Sequence, residues 1–418
     1  MAKQDKVNKE IKRSPNYYVK KRLVRNKPAI FGLIVIVLAT FAALSGYLIM
    51  PDQTPNANDG AVQIQKKLPG FSVQMLKHRK NMNIEERGFF KKIFLGQESL
   101  YIIEPISNYR FDDWNVIVEL YDAPGLPEKT YPLLNVVKPL FAGSIDSAGF
   151  EGAPYKITGN QAEYIDISGN YHKISLANLI SEFEKKNIKN RFYLLGTDNS
   201  GRDIYSRILF GARISLSIGF VAVLISMVLG LSLGALAGFF GGKIDHFIMW
   251  LMSVAWSIPS IMLVIAISIA LQSRGIWVAF VAVGLTMWVD VARVVRGQIM
   301  SIKQKLYIEA ARAFGISNYR IVFHHIMPNI LGPLVVIASS NFAAAILLEA
   351  GLSFLGLSVQ PPTPSWGIMI FEGYNAIGSE NSWHLVVFPG LVICLMILSF
   401  NLLGNGLRDA FDPQTALK

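Results

Sequence analysis

The amino-acid sequence predicts an all-α transmembrane bundle of six helices, with a small extracytoplasmic α+β insert domain between the first and second helices. Three observations carry this prediction. Of 418 residues, 52% are apolar and only 17% charged, against about 25% charged in an ordinary soluble domain. Six windows are apolar over the roughly 20 residues that a helix needs to cross a hydrocarbon core about 30 Å thick. Between the first two windows, residues 51–193 read as a different material, with mixed charge and frequent turn residues.

In chain order, residues 1–28 form a basic N-terminus. Met1 to Lys27 carry 10 Lys and Arg against 2 Asp and Glu. Residues 29–50 follow without a charge and are the first transmembrane helix; their length and the further spans speak against a cleaved signal peptide. In the insert, short β-like runs such as Asn115 to Leu120 and Tyr164 to Ile167 alternate with turns at Ala123-Pro124-Gly125 and Ser168-Gly169-Asn170. A helical stretch is expected from Ser175 to Asn187. From Pro51 to Ala212 basic and acidic residues balance at 19 each, and no catalytic spacing appears, so the insert reads as an interaction or gating module. Residues 194–418 hold the other five spans: Ile214 to Phe240, His246 to Leu271, Ile276 to Val295, Asn329 to Leu348 and Trp383 to Leu403.

The net charge of +11 is concentrated in two places. One is the N-terminus, and the other is Arg293 to Arg320, with six basic residues against Glu309 alone. Positive charge favours the cytoplasmic side. A cytoplasmic N-terminus and four intervening spans put both clusters there, and put the insert outside. This distribution speaks for a lipid bilayer and against nucleic acid as the partner. A single cysteine excludes a disulfide within the chain, no histidine spacing suggests a metal, and no G-x-x-x-x-G-K-[ST] motif is present. No cofactor is expected, and any ATP must be bound by another chain.

The loop after the fourth span, residues 297–328, is the most informative stretch. Good helix formers from Lys305 to Phe314 end at Gly315, which suits a left-handed C-terminal stop. A second helical run, Asn318 to Ile326, meets Pro328. Two short helices joined at a glycine make a docking shape, with Ala310, Ala311 and Ala313 keeping one surface small. Glu309 sits near the helix start, where the dipole favours a carboxylate. The spacing Glu309-Ala310-Ala311, Gly315, Ile326 and Pro328 resembles the EAA loop of ABC importer permeases. Ten residues separate Gly315 from Ile326 where that pattern has nine, and Met327 stands where leucine is usual. Leu194 to Gly219, Glu349 to Gly367 and Asn401 to Pro413 are similar to segments of the dipeptide, oligopeptide and nickel permease family, in its C-type subunit.

This resemblance implies a permease, not an enzyme, in a bacterial inner membrane. It implies pairing with a second homologous permease, two cytoplasmic ATP-binding subunits and an extracytoplasmic peptide-binding protein. The EAA loop would transmit ATP-driven motion to the helices. The alternative is a membrane-anchored receptor or sensor whose outside domain binds a ligand, which has no need of a docking helix at Glu309. An ion-coupled carrier would call for broken helices, buried acids and internal repeats; no repeat is evident.

Other residues carry simpler readings. Thr197, Asp198, Gly201, Arg202 and Asp203 form either an outer gate lip or a capped helix start. Asp290 and Arg293 are expected to pair locally. Trp366, Trp383 and His384 are read as interfacial anchors, Glu349 as marking the outer end of the fifth span. Met249, Met252, Met262 and Met287 are read as packing. Gly230, Gly234 and Gly238 make a face for close helix approach, serving either the chain's own bundle or a second subunit.

Overall fold

The computed structural model describes residues 15–412, except 123–124, 126, 142–153, 274 and 379–380. Half of the basic N-terminus, part of the Ala123-Pro124-Gly125 turn and Pro413 lie outside the described residues. The elements, in chain order, begin with α1 (Pro15–Arg25) and α2 (Lys27–Ile49). The insert follows as β1 (Phe71–Arg79), α3 (Phe89–Leu95), β2 (Tyr101–Asp112), β3 (Asn115–Leu120), β4 (Lys129–Pro132) and α4 (Leu133–Val137), then β5 (Tyr155–Thr158), β6 (Gln161–Ile165), β7 (Tyr171–Ser175), α5 (Leu176–Lys186) and β8 (Ile188–Tyr193). The helical part resumes with α6 (Ile204–Phe240), α7 (Gly242–Ser257), α8 (Ser260–Ala270) and α9 (Ile276–Lys303). It ends with α10 (Leu306–Ala313), α11 (Asn318–Phe354), α12 (Trp366–Tyr374) and α13 (Trp383–Phe411). The chain divides into two compact units, residues 1–43, 211–371 and 389–418 in one, and residues 44–210 and 372–388 in the other.

The second unit contains the α+β structure. A five-stranded antiparallel sheet has the order β4-β3-β2-β1-β8, beside a three-stranded sheet β5-β6-β7. Alternation along β3 buries Val116, Val118 and Leu120 and leaves the intervening residues more accessible. Val116 and Val118 join Leu76, Ile106, Leu133, Leu179 and Phe183 in one core. The sequence reading matched β3 at both ends and α5 to within one residue, whereas β6 starts three residues before the expected Tyr164 and ends two before the expected Ile167. Ser175 caps α5 by accepting a hydrogen bond from the Asn178 amide, as serine does at a helix start.

Within this sheet, Glu104 receives Tyr131 at 2.8 Å and Lys129 at 3.1 Å, with His78 at 3.4 Å. The His78 contact, ahead of opposing burial and then hydrogen bonds from Tyr131 and Lys129, holds the Glu104 carboxyl down at about 2, from an ordinary 4.5. A carboxylate depressed in the fold contributes stability above the unfolded value and loses it as protons bind. Folding of the insert should therefore weaken as pH falls from about 4.5 towards 2. Glu104→Gln should flatten that slope in hydrogen exchange followed between pH 5 and 3; an unchanged slope would exclude this cluster as its source.

Among the described residues, five helices are long and apolar enough to cross a membrane: α2, α6, α9, α11 and α13. The third expected span, His246 to Leu271, is not one helix. It is α7 and α8, bent by 95°. Pro259 explains the break, because the residue before a proline is driven out of helical conformation, and Ile258 has φ −97°, ψ 128°. Six spans hold only if that bent pair counts as one.

The fifth span also differs. No break separates Asn318 to Ile326 from it. Instead the chain enters α11 through a π-helical turn, Ile321–Ile326, and runs on through Pro328. Proline lacks the amide a regular helix needs, and a wider turn just upstream accommodates the lost bond. Ile326 is buried and Pro328 exposed.

The glycine face of α6 packs within the chain. An added Cβ at Gly230 would meet Val291 Cβ at 2.5 Å, at Gly234 the Ala292 oxygen at 2.5 Å, and at Gly238 the Arg296 oxygen at 2.9 Å. All three therefore serve the contact with α9. No Asp290–Arg293 ion pair forms. Arg293 lies over the Trp256 ring at 3.9 Å, and Arg296 binds Asp245 through two hydrogen bonds of 2.5 and 2.7 Å. Each guanidinium takes a geometry it suits, a bidentate carboxylate pair for Arg296 and an aromatic face for Arg293.

Three other readings are corrected. Met252 and Met287 are buried and Met249 partly so, but Met262 is 61% exposed. Trp366 is 1% exposed and sits in the core with Leu216, Ile346 and Met396, not at an interface. His384 is buried, Nε2 facing the Thr197 carbonyl at 3.2 Å, whereas Trp383 is exposed.

Candidate functional site

Helix α10 is held from below and open above. Ile308 and Ala311 are buried against Ile299, Ile302, Ile321 and Ile326, so the helix is pinned to the ends of α9 and α11. The remaining face carries Glu309, Ala310 and Ala313, all exposed. Ala311 thus belongs to the anchored side, not to the small outer surface expected for it. Beside Ala310 and Ala313 stand Leu306 and Phe314, 83% and 86% exposed. Two large apolar side chains flanking a small-residue patch on a basic loop form a surface suited to insertion into an apolar recess.

The stop at Gly315 has the geometry that the sequence anticipated. Its φ is +73°. The Gly315 amide donates to the Arg312 oxygen at 2.9 Å and the Ile316 amide to the Ala311 oxygen at 3.1 Å, the paired closure of a left-handed helix end. Ile316 then packs into the same core as Ala311. An added Cβ at Gly315 would meet nothing within 4 Å. Backbone conformation, not space, requires glycine there.

Thr197, Asp198, Gly201, Arg202 and Asp203 come together in the second unit. Asp203 caps α6, accepting from the Ser206 amide at 3.1 Å and from its hydroxyl, so that residue is a structural cap. Burial pushes its carboxyl up from the ordinary range, opposed by the bonds from Ser206 and the charge of Arg191. Thr197 Oγ1 accepts from the Lys67 amide at 2.9 Å. Gly201, at φ +72°, abuts the Ala61 backbone.

Asp198 and Arg202 belong to a larger buried network. Asp198 Oδ2 accepts from Arg202 Nε at 2.7 Å and lies 3.3 Å from Arg207 Nε. Glu372 Oε2 accepts from Arg202 at 3.1 Å and Arg207 at 2.9 Å, and its carbonyl accepts from Asn199. Two cations and two anions are thus closed on one another, with Arg207 1% exposed. Sequence reading missed Glu372 and Arg207. They are 165 positions apart, and only the buried pairing of α6 with α12 marks them. Removing one member of a buried pair leaves an uncompensated charge, at a cost of about 3 kcal/mol. Glu372→Gln should therefore raise hydrogen exchange in residues 197–207 and 372–388, and unchanged protection would show the network to be energetically neutral.

In the first unit Glu349 is fully buried, and serine hydroxyls meet both of its carboxylate oxygens: Ser353 at 2.7 Å and Ser215 at 3.1 Å. Ser215 also accepts from the Trp366 amide at 3.2 Å. The expected marker of a helix end is a polar pin joining α6, α11 and α12, which satisfies a group that is costly to bury alone.

Residues 230–417 match the family described as binding-protein-dependent transport system inner membrane component, and residues 14–68 match the N-terminal transmembrane domain of oligopeptide transport permease C. A dipeptide transport system permease protein of Alkalihalophilus pseudofirmus is 41% identical over 240 residues, 56% of this chain and 78% of that protein. The chain belongs to this permease family. A glutathione transport system permease protein of Pectobacterium atrosepticum is 44% identical over 220 residues, 53% of this chain and 72% of the relative. An oligopeptide transport system permease protein of Escherichia coli is 43% identical over 222 residues, with the same two shares. This permease is therefore the multi-pass membrane subunit of an ABC importer. The permease family descriptions leave residues 69–229 unmatched, a range that includes the whole β structure.

Proposed function

We propose that this permease carries peptides across a bacterial inner membrane, with its N-terminus cytoplasmic. It pairs there with a second homologous permease, two ATP-binding subunits on the cytoplasmic side and a peptide-binding protein outside. The peptide names of its relatives support the cargo class, and the two basic clusters support the orientation. In this reading the insert, residues 51–193, is extracytoplasmic.

The observation that carries the coupling role is α10: a helix anchored through Ile308 and Ala311 that presents Leu306, Ala310, Ala313 and Phe314 outward. Glu309, Ala310 and Phe314 form the surface that enters the ATP-binding subunit. Ala311, Gly315, Ile326 and Pro328 hold that surface rigidly on α11. ATP-driven closure can bias the helices only through such a link, because a coupling free energy needs distinct contacts in each state. The polar network of Asp198, Arg202, Arg207 and Glu372 serves as the outer gate's latch, with Thr197, Gly201 and Asp203 shaping its backbone.

The test is purification of the tagged chain from membranes in mild detergent, together with its operon partners. Two ATP-binding subunits should be retained, and the complex in liposomes should take up di- and oligopeptides on ATP addition. Recovery without any ATP-binding subunit, with a ligand bound by the insert alone, would favour the receptor reading.

A further inference from the structure

The large sheet of the insert has one face that collects cations. Side chains alternate along a strand, and the register sets Val73 opposite Arg191, Met75 opposite Lys189, and Lys77 opposite Ile103. Lys77, Lys189 and Arg191 therefore share a face with Tyr101. Together they line a hollow of about 220 Å³. It adjoins a second of about 380 Å³, which shares Asp59, Ser99 and Tyr101 and ends at Lys80 and Glu98. Four cations and two acids line the pair, an excess of two positive charges.

The acids present do not quench this excess. Asp59 is engaged by Arg191 at 3.2 Å. Arg191 Nη2 is buried and, among the described residues, has no acceptor. Burial, and then repulsion from Lys189 and Arg191, push the Lys77 ammonium down from its ordinary value. An anion placed between these three would relieve both the repulsion and the unsatisfied donor. Glu98, 60% exposed and only loosely met by Arg87 at 3.8 Å, supplies an anion at the far end. The larger hollow lies within the range of about 300–1,000 Å³ usual for small-molecule sites.

We propose that this groove binds a small zwitterion, an acidic amino acid or short acidic peptide. Its carboxylates lie among Lys77, Lys189 and Arg191, and its ammonium points towards Glu98. The binding stands on this surface alone, whereas its meaning as a cargo site rests on the peptide-importer reading. Such a site lets the insert gather acidic peptides for uptake.

Titration calorimetry on the full-length protein in lipid nanodiscs, with the dipeptide Ala-Glu as probe, tests the proposal. Wild type should bind Ala-Glu. Lys77→Gln/Lys189→Gln, which alters no ion pair among the described residues, should weaken binding at least tenfold while keeping the thermal midpoint. Amidation of both carboxyls should abolish binding, and N-acetylation should weaken it. No binding by wild type, equal binding by the double variant, or tighter binding of inorganic phosphate than of Ala-Glu would each overturn the proposal. ATP-driven uptake in the assembled transporter separates the two readings. Lys77-dependent binding without uptake of any peptide would sink the cargo assignment and leave the site standing. Uptake with binding indifferent to Lys77 and Lys189 would do the reverse.

Discussion

Replacing Phe314 with glutamate should leave the chain inserted and folded but weaken its hold on the ATP-binding subunits about a hundredfold. Phe314 is 86% exposed on an otherwise anchored loop, so the fold loses little with it. Burying a phenylalanine contributes about 1.5–3 kcal/mol, and the substituted carboxylate would have to be desolvated in the same recess. A loss of about 2.8 kcal/mol corresponds to a factor of about 100 in affinity. Peptide uptake should fall in proportion, while wild-type expression and elution on size-exclusion chromatography persist. Full uptake and undiminished co-purification would show that α10 does not carry the coupling. Gly315→Trp should uncouple less severely, because its added side chain meets open space and the penalty is the left-handed backbone, about 1–2 kcal/mol.

Gly234→Leu should severely damage the bundle. A Cβ there would stand 2.5 Å from the Ala292 backbone oxygen and 2.9 Å from Val295 Cβ. Backbone cannot rotate away as a flexible side chain can, so α6 and α9 must separate along the row shared with Gly230 and Gly238. Overpacking of this kind costs about 3 kcal/mol or more, and in lipid no hydrophobic force restores the contact. Membrane levels should drop and the extracted protein should aggregate. Gly297→Ala is the control. It lies on α9 with nothing within 4 Å of an added Cβ, so it should be neutral or slightly stabilising through helix propensity. Equal behaviour of the two variants would refute the close α6–α9 contact.

The loop illustrates what local sequence makes legible. Gly315 was recognisable as a left-handed stop because that conformation excludes most other residues, and Asp203 as a cap because a short carboxylate before an apolar run has few better uses. The bend at Ile258-Pro259 was also written locally, yet hydropathy over a wide window averages it away. Phe314 was hidden differently. Apolarity alone does not say whether a phenylalanine faces the core or the outside, and only the burial of Ile308 and Ala311 turned it outward.

Composition and the positions of Gly315 and Pro328 determined by themselves that this chain spans a membrane repeatedly and closes a short loop helix at a glycine. These are properties of short segments or of sums over segments. Tertiary structure alone decided the partners of long-range polar groups: Arg207 with Glu372, Arg296 with Asp245, Glu349 with the Ser215 hydroxyl, and the gathering of Lys77, Lys189 and Arg191 on one sheet face. A charge finds its complement wherever folding brings low-dielectric surroundings and opposite sign together, and chain separation carries no trace of that meeting.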